Sequence, residues 1–475
     1  MIRQGMREKQ TKIGWATAAA IVVANMVGTG VFTTLGLQLS SLEHVSIILL
    51  LWVVGGLVAL CGAFTYAEIA TRLPKSGGEY HFLSRIYHPF LGYLSGWVSI
   101  TVGFAAAIAL AAMAIGSYVA TFLGWSGSSV ATVSILLVAL VHSFDIRQSS
   151  RFQNILTGLK VLLVLILIIS GLLLPAAADN ALVLSETFRF RFTDVWQPVV
   201  AVSLVYVIYA FSGWNAAAYL TEEIRNPRRN LPRALLGGTI LVSVLFFLLQ
   251  VAFLRQAPAD LLAGKVEVGQ VVASLMFGET GGRIISFLIA GLLIAGISAM
   301  IWVGSRVTRA MAGDYQMWQY FARDNQRGVP VRAIWLQAAI SVFLVSTSSF
   351  EQVLLYSGFV LQLFTILTVL GLFRLRRQQI GDEVAWRSPM FPWVQFIFLF
   401  FNVIVLCFLL IDKPFESLLG LLNLVAGAMS FAWEKWRYEP ISKKVAKKEK
   451  RNGKSHQGPT TNSVQLKQKA GVPKD

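Results

Sequence analysis

The sequence predicts an all-α membrane protein of twelve transmembrane helices, and three observations carry that reading. Of its 475 residues 55% are hydrophobic and only 14% charged, more apolar surface than a soluble core hides. Apolar stretches of roughly 18 or more residues recur, each long enough for a helix to cross about 30 Å of hydrocarbon. These stretches are continuous rather than alternating, which excludes a closed barrel, the other architecture that leaves no backbone group unpaired in lipid.

Taken in order, the apolar runs centre near residues 25, 58, 105, 136, 162, 208, 244, 295, 339, 363, 401 and 424. The connecting segments alternate in charge. One set is rich in Arg and Lys: Arg3 to Lys12, Arg72 to Arg85, Arg147 to Arg151, Arg225 to Arg233, Arg306 to Arg332, Arg374 to Arg387 and the C-terminal tail. The other set, near Glu43, Gly124, Asp179, Asp260, Glu351 and Asp412, is poor in them. By the positive-inside rule both termini are expected in the cytoplasm of a cell-membrane protein. The first run continues past Val31 without a cleavage pattern, so the first span is expected to be its own targeting signal. The segment from Pro258 to Gly278 is long for a turn and predicts short helices on the outer surface. Trp15, Trp97, Tyr118, Trp125 and Trp436 fall near span ends and read as interface anchors.

Domain boundaries follow from the same pattern. Residues 1–12 form a cytoplasmic segment, 13–436 the membrane domain, and 437–475 a basic tail of disordered composition. The formal charge of +17 does not argue for nucleic acid, because twelve of the 41 Lys and Arg lie between Lys435 and Lys474, a polar stretch that reads as a solvated cytosolic tail, with contact to anionic lipid the lesser use. Cys61 and Cys407 both lie inside apolar runs, so no disulfide-linked accessory subunit is expected. The spans carry no His or Cys cluster, no paired intramembrane carboxylates and no metal-ligand motif. An enzyme, a metal and a cofactor are therefore not expected.

Two spans carry breaks in corresponding positions. Asn25-Met26-Val27-Gly28-Thr29-Gly30-Val31-Phe32 places two glycines around a threonine in the first span, and Tyr209-Ala210-Phe211-Ser212-Gly213-Trp214-Asn215 places a Ser-Gly pair in the sixth. Spans one and six lie five helices apart, so they begin the two halves of a five-plus-five inverted repeat, residues 13–175 and 195–377, with spans 11 and 12 in 390–436. Unwinding at Gly28 to Gly30 frees amide N–H groups at the positive end of a half-helix, which suits a carboxylate. It also strands carbonyls at the end of the preceding half, which suit an ammonium group. A free amino acid carries both charges. Close helix packing is the competing use of such glycines.

An ionisable group inside a span is costly and marks function by default. Lys160 follows Arg151 by nine residues and lies roughly 13 Å into the membrane at 1.5 Å per residue. Short of snorkelling to the surface, its ammonium can bridge unwound backbone, replace a metal cation, or exchange a proton.

With these residues on the page, the chain resembles the amino acid-polyamine-organocation (APC) superfamily, and within it bacterial relatives of the L-type amino acid transporter light chains. The resemblance runs over residues 13–435. It rests on Gly28-Thr29-Gly30-Val31-Phe32, Tyr66-Ala67-Glu68, Leu73-Pro74-Lys75-Ser76-Gly77-Gly78-Glu79-Tyr80, Gly92 to Trp97, and Phe211 to Asn215 continuing through Glu222 to Arg233. Asn25 and Leu35 depart from the family pattern. The resemblance implies a LeuT-type fold with spans 1 and 6 unwound, and an amino acid as substrate. By position Gly28, Thr29 and Gly30 would meet its carboxylate, and carbonyls near Met26, Tyr209, Ala210 and Ser212 its amine. Tyr209 would close the gate, Asn215 would stand near it, and Lys160 would occupy the place of a sodium ion. Exchange of neutral L-amino acids by alternating access, independent of sodium, is the expected activity. Neutral substrates are favoured because the span-three face from Gly103 to Ala112 offers no carboxylate. Proton-coupled symport is the alternative, and a non-transporting amino acid sensor a more distant one.

Overall fold

A computed structural model describes residues 12–42, 44–144, 150–175, 197–382 and 384–454. The expectations placed on Arg3 to Thr11, on Glu43, on residues 145–149 of the Arg147 loop, on the Asp179 loop and on the tail past Lys454 fall outside these residues. Among the described residues every regular element is helical, and the one extended pairing is an isolated bridge between Ile13 and Ile224.

The helices are α1 (Trp15–Met26), α2 (Gly30–Leu39), α3 (Val45–Arg72), α4 (Gly78–Ile86), α5 (Pro89–Val98), α6 (Ala105–Leu123), α7 (Gly127–Ser143), α8 (Ser150–Leu173) and α9 (Pro198–Ala210). They continue as α10 (Pro227–Gln256), α11 (Ala259–Leu262), α12 (Val268–Asp314), α13 (Val331–Thr347), α14 (Phe350–Gln378), α15 (Trp393–Asp412) and α16 (Pro414–Lys454). Nine spans among the described residues are long and apolar enough to cross a membrane; α1 with α2 counts as one, and so does α5 with α6. Three shorter apolar helices, α7, α9 and α13, accompany them. The helices through Ala428 form one compact unit and Met429 begins a second. Helix α16 runs on to Lys454, past residue 437, where disorder is expected from composition.

Small residues set how closely the spans pack. A Cβ at Gly55 of α3 would lie 2.4 Å from Val207, and one at Gly62 would lie 2.6 Å from Trp214. Glycine at these two points lets α3 lie against the broken sixth span. Trp52, fully buried on α3, packs against Phe211 and Phe246 with ring centroids 5.9 and 5.8 Å away and donates to Gln38 at 3.0 Å. Phe211, at the break, also packs on Phe246 at a centroid distance of 5.3 Å.

The segment from Pro258 to Gly278 does form short helices: α11, and the first part of α12, whose helical path is broken at Gly278 (φ 73°). Tyr118 corrects its reading as an interface anchor. It is fully buried, donates to the Phe32 carbonyl at 3.0 Å and accepts from the Gly269 N–H at 3.1 Å. A phenol that satisfies two backbone groups is better used inside the bundle than at its rim. Trp15 and Trp125 are exposed as expected.

Four of the Arg-rich segments, around residues 72–85, 225–233, 306–332 and 374–387, are tied to one another. Glu68, with no exposed surface, accepts from Arg72 at 3.0 Å, from Arg376 at 2.6 and 2.9 Å and from the Ser388 N–H at 2.8 Å. Arg228 donates to Asp382, and this bond, with a further one from the Val384 N–H, holds the Asp382 carboxyl below its ordinary range. Tyr80 donates to Asp314 at 2.6 Å, and its phenol is pushed well up, first by burial and then by that carboxylate. The loop Pro74 to Tyr80 is fastened to the end of the sixth span by Gly77 N–H to Tyr219 O at 3.1 Å and by paired bonds between Ser76 and Glu222.

Candidate functional site

Both expected breaks are present. Helix α1 stops at Met26 and α2 restarts at Gly30, with Val27 turned out of the helical region (ψ 80°). Helix α9 stops at Ala210, the chain turns through Gly213 (φ 96°), and a 3₁₀ helix runs from Ala216 to Glu223. Glycine is required at 213 on two counts, its positive φ and the Asn25 backbone, which a Cβ would meet at 2.9 Å.

The two breaks meet. A Cβ on Gly30 would lie 2.4 Å from the Ala210 Cα, so backbone rests on backbone there. The hydroxyl of Thr29 lies 2.9 Å from that of Tyr209. Thr33 and Thr34 turn their hydroxyls back to the carbonyls of Thr29 and Gly30 at 3.0 and 2.8 Å, occupying acceptors at the start of α2. The amides that open α2 face the break, as the first-turn N–H groups of any helix do.

Beside the breaks lies a cavity of about 260 Å³. Tyr209, Ser212 and Asn215 line it, together with Asn25, Gly213 and Trp214. Met26, Gly28, Thr29, Gly30 and Ala210 do not line it; Gly30 rests on Ala210 instead, and Thr29 is bonded to Tyr209. The far side is built by Ser99, Gly103 and Phe104, and residues Ser99–Phe104 are a π-helical turn between α5 and α6. Such a turn widens a span locally and is frequent at functional sites.

Glu79, which the sequence does not mark as a site residue, also lines the cavity. Its 5% exposed carboxylate accepts from Tyr66 at 2.7 Å and Asn215 at 2.9 Å on one oxygen, and from Tyr219 on the other. The signal available in the sequence was an acid directly after two glycines, Gly77 (φ 120°) and Gly78 (φ 55°).

Lys160 is buried, and its ammonium donates to the Ala24 carbonyl at 3.1 Å. Ala24 stands in the last turn of α1, where carbonyls lose their intrahelical partners. A second, small cavity of about 20 Å³ lies there, walled by Ala24, Asn25, Thr157, Lys160 and Gly296 among others. Among the described residues no group of three or more His, Cys, Asp or Glu side chains stands ready for a metal.

These features define a class: a multi-pass helical membrane protein in which two interrupted helices meet beside a mostly apolar internal cavity. The chain belongs to the amino acid permease family, whose sequence pattern matches residues 13–430. It is accordingly an amino acid transporter and not an enzyme, in keeping with its likeness to the APC superfamily. It is similar to the b(0,+)-type amino acid transporter 1 of Homo sapiens, 28% identical over 456 residues covering 91% of each chain. It is similar also to the serine/threonine exchanger SteT of Bacillus subtilis (strain 168), 27% identical over 88% of this chain and 95% of the relative. A third relative, the large neutral amino acids transporter small subunit 2 of Homo sapiens, is 26% identical over 90% of this chain and 81% of its own.

Proposed function

We propose that the protein exchanges neutral L-amino acids across the cell membrane by alternating access, without sodium. The observation that carries this reading is the meeting of the two breaks beside a cavity. The zwitterionic part of an amino acid would lie between the α2 amides, at Gly28, Thr29 and Gly30, and the carbonyls of Met26, Tyr209, Ala210 and Ser212. In the state described, the Thr29–Tyr209 bond shuts that nest from the cavity, and Tyr209 would swing away when substrate enters. On this reading the nine long and three short apolar helices among the described residues would be the twelve spans of two inverted five-span repeats with two further helices. Both termini would then be cytoplasmic.

Sodium independence is supported by Lys160, whose ammonium already satisfies a carbonyl that a metal ion would otherwise coordinate. Neutral selectivity is supported by the engagement of Glu79, the one carboxylate among the described cavity-lining residues, with three neutral donors. The Bacillus subtilis relative is a serine/threonine exchanger. The buried ammonium of Lys160 also favours a second reading, proton-coupled symport through that group.

Uptake of labelled amino acids into sodium-free proteoliposomes, with and without internal amino acid and with and without a pH gradient, decides between them. Uptake that requires internal amino acid is the expected result. Uptake driven by the gradient alone would replace exchange by symport, and dependence on added sodium would refute both.

A further inference from the structure

Glu79 is bound into the cavity wall by a local design. Gly77 and Gly78 both adopt positive φ, and a Cβ on Gly78 would lie 2.3 Å from the Tyr219 ring. Two glycines thus let the chain turn under Tyr219 and start α4 with Glu79 in its first turn, where the helix dipole favours a negative charge. From there the carboxylate gathers Tyr66 of α3 with Asn215 and Tyr219 of the broken sixth span. Among the described residues no cationic side chain forms an ion pair with it.

A carboxylate only accepts hydrogen bonds, so the end of the Asn215 amide that faces it is the NH₂ group. The other end is then a carbonyl oxygen. Asn215 is half-buried and lines the cavity, and Oδ1 is the polar atom of its side chain left to present there. We propose that Glu79 is a positioning residue for substrate recognition: by holding the Asn215 NH₂ group it fixes Oδ1 toward the cavity as an acceptor for the substrate's ammonium group.

The inference rests on the reading of the cavity as an amino acid site and names which end of the substrate Asn215 serves. The negative charge one hydrogen bond behind Oδ1 adds to its preference for a cation over a neutral donor or an anion. Without the carboxylate the amide is free to turn over. A glutamine at 79 can even offer its own NH₂ to Oδ1 and so consume the acceptor.

The test compares an amino acid with its 2-hydroxy-acid analogue, in which the ammonium is replaced by a hydroxyl. Binding is read as the ligand-induced thermal shift of the purified full chain in detergent, and transport as KM and kcat in proteoliposomes. In the wild type the amino acid is expected to bind more tightly than the analogue. Glu79→Gln should shrink that preference on the order of tenfold, through KM rather than kcat, while Glu79→Asp keeps most of it. Asn215→Leu, which removes Oδ1 and leaves Glu79 in place, should lose the preference to the same extent and serves if Glu79→Gln does not fold.

Equal weakening of both ligands in Glu79→Gln, or an intact preference in Asn215→Leu, overturns the proposal, since a purely structural carboxylate would not sort ligands by their amine. A wild type that binds amino acids but does not exchange them fails the exchange reading alone. A wild type that binds none fails both.

Discussion

The Thr29 hydroxyl and the Tyr209 hydroxyl stand 2.9 Å apart, joining residues 180 positions apart in the chain. This hydrogen bond closes the first-span break against the sixth.

Removing either hydroxyl should loosen that closure. Tyr209→Phe and Thr29→Val are each expected to cost about 1 kcal/mol, or roughly fivefold in the population of the closed arrangement. The double variant should be scarcely worse than either single one, because both delete the same bond. Thermal unfolding of the three variants checks this, and full additivity would show that the hydroxyls act separately.

Gly28 and Gly30 separate the two uses of glycine at the break. A Cβ on Gly30 would collide with the Ala210 backbone at 2.4 Å, so Gly30→Ala should yield little folded protein and no uptake. A Cβ on Gly28 would meet nothing nearer than 3.9 Å, so Gly28→Ala should fold. An effect of Gly28→Ala on amino acid affinity then reports on the amide nest itself. Wild-type affinity in that variant would place the carboxylate elsewhere.

Lys160→Ala leaves the Ala24 carbonyl without its donor in a buried place. The expected loss is about 1 to 3 kcal/mol of stability and at least a tenfold slowing of uptake in sodium-free vesicles. Stability lost with uptake kept would reduce the lysine to a packing role.

The Arg228–Asp382 pair sets a pH signature. Its folded-state carboxyl pKa is depressed, chiefly by Arg228, so the pair's contribution is complete above the unfolded carboxylate pKa of about 3.9 and is lost as pH falls through the folded value. The stability difference between the wild type and Arg228→Ala should therefore be flat from about pH 8 to 5 and shrink below about pH 4. A difference that instead changed between pH 8 and 6 would assign the effect to another group.

The spans and both breaks were legible because they are local. Hydrocarbon thickness dictates the length of an apolar run, and Gly28, Gly30, Ser212 and Gly213 announce interruptions by residue type alone. Lys160 stood out in the sequence because a charge inside an apolar run is costly. What escaped was tertiary. Nothing in the loop Pro74 to Tyr80 says that it tucks back until Glu79 touches Asn215, 136 positions away. The π turn at Ser99–Phe104 carries no compositional mark, and Tyr118 looked like an anchor only because it stands near the end of its run. The pairing of buried Glu68 with Arg376, 308 positions away, is tertiary in the same way.

The contact of Gly30 with Ala210 also has a meaning in time. The chain is made from its N-terminus at roughly 5 to 20 residues per second, so the first break waits on the order of ten seconds or more for its partner to be synthesised. Until then α1 and α2 can enter the bilayer but have nothing to close against, and the nest of amides is exposed to whatever lies nearby. Closure of the first break therefore arises late and all at once, from a contact of very high sequence separation, of the kind whose formation slows folding most. A chain halted before residue 210 would hold the first break with no partner for it.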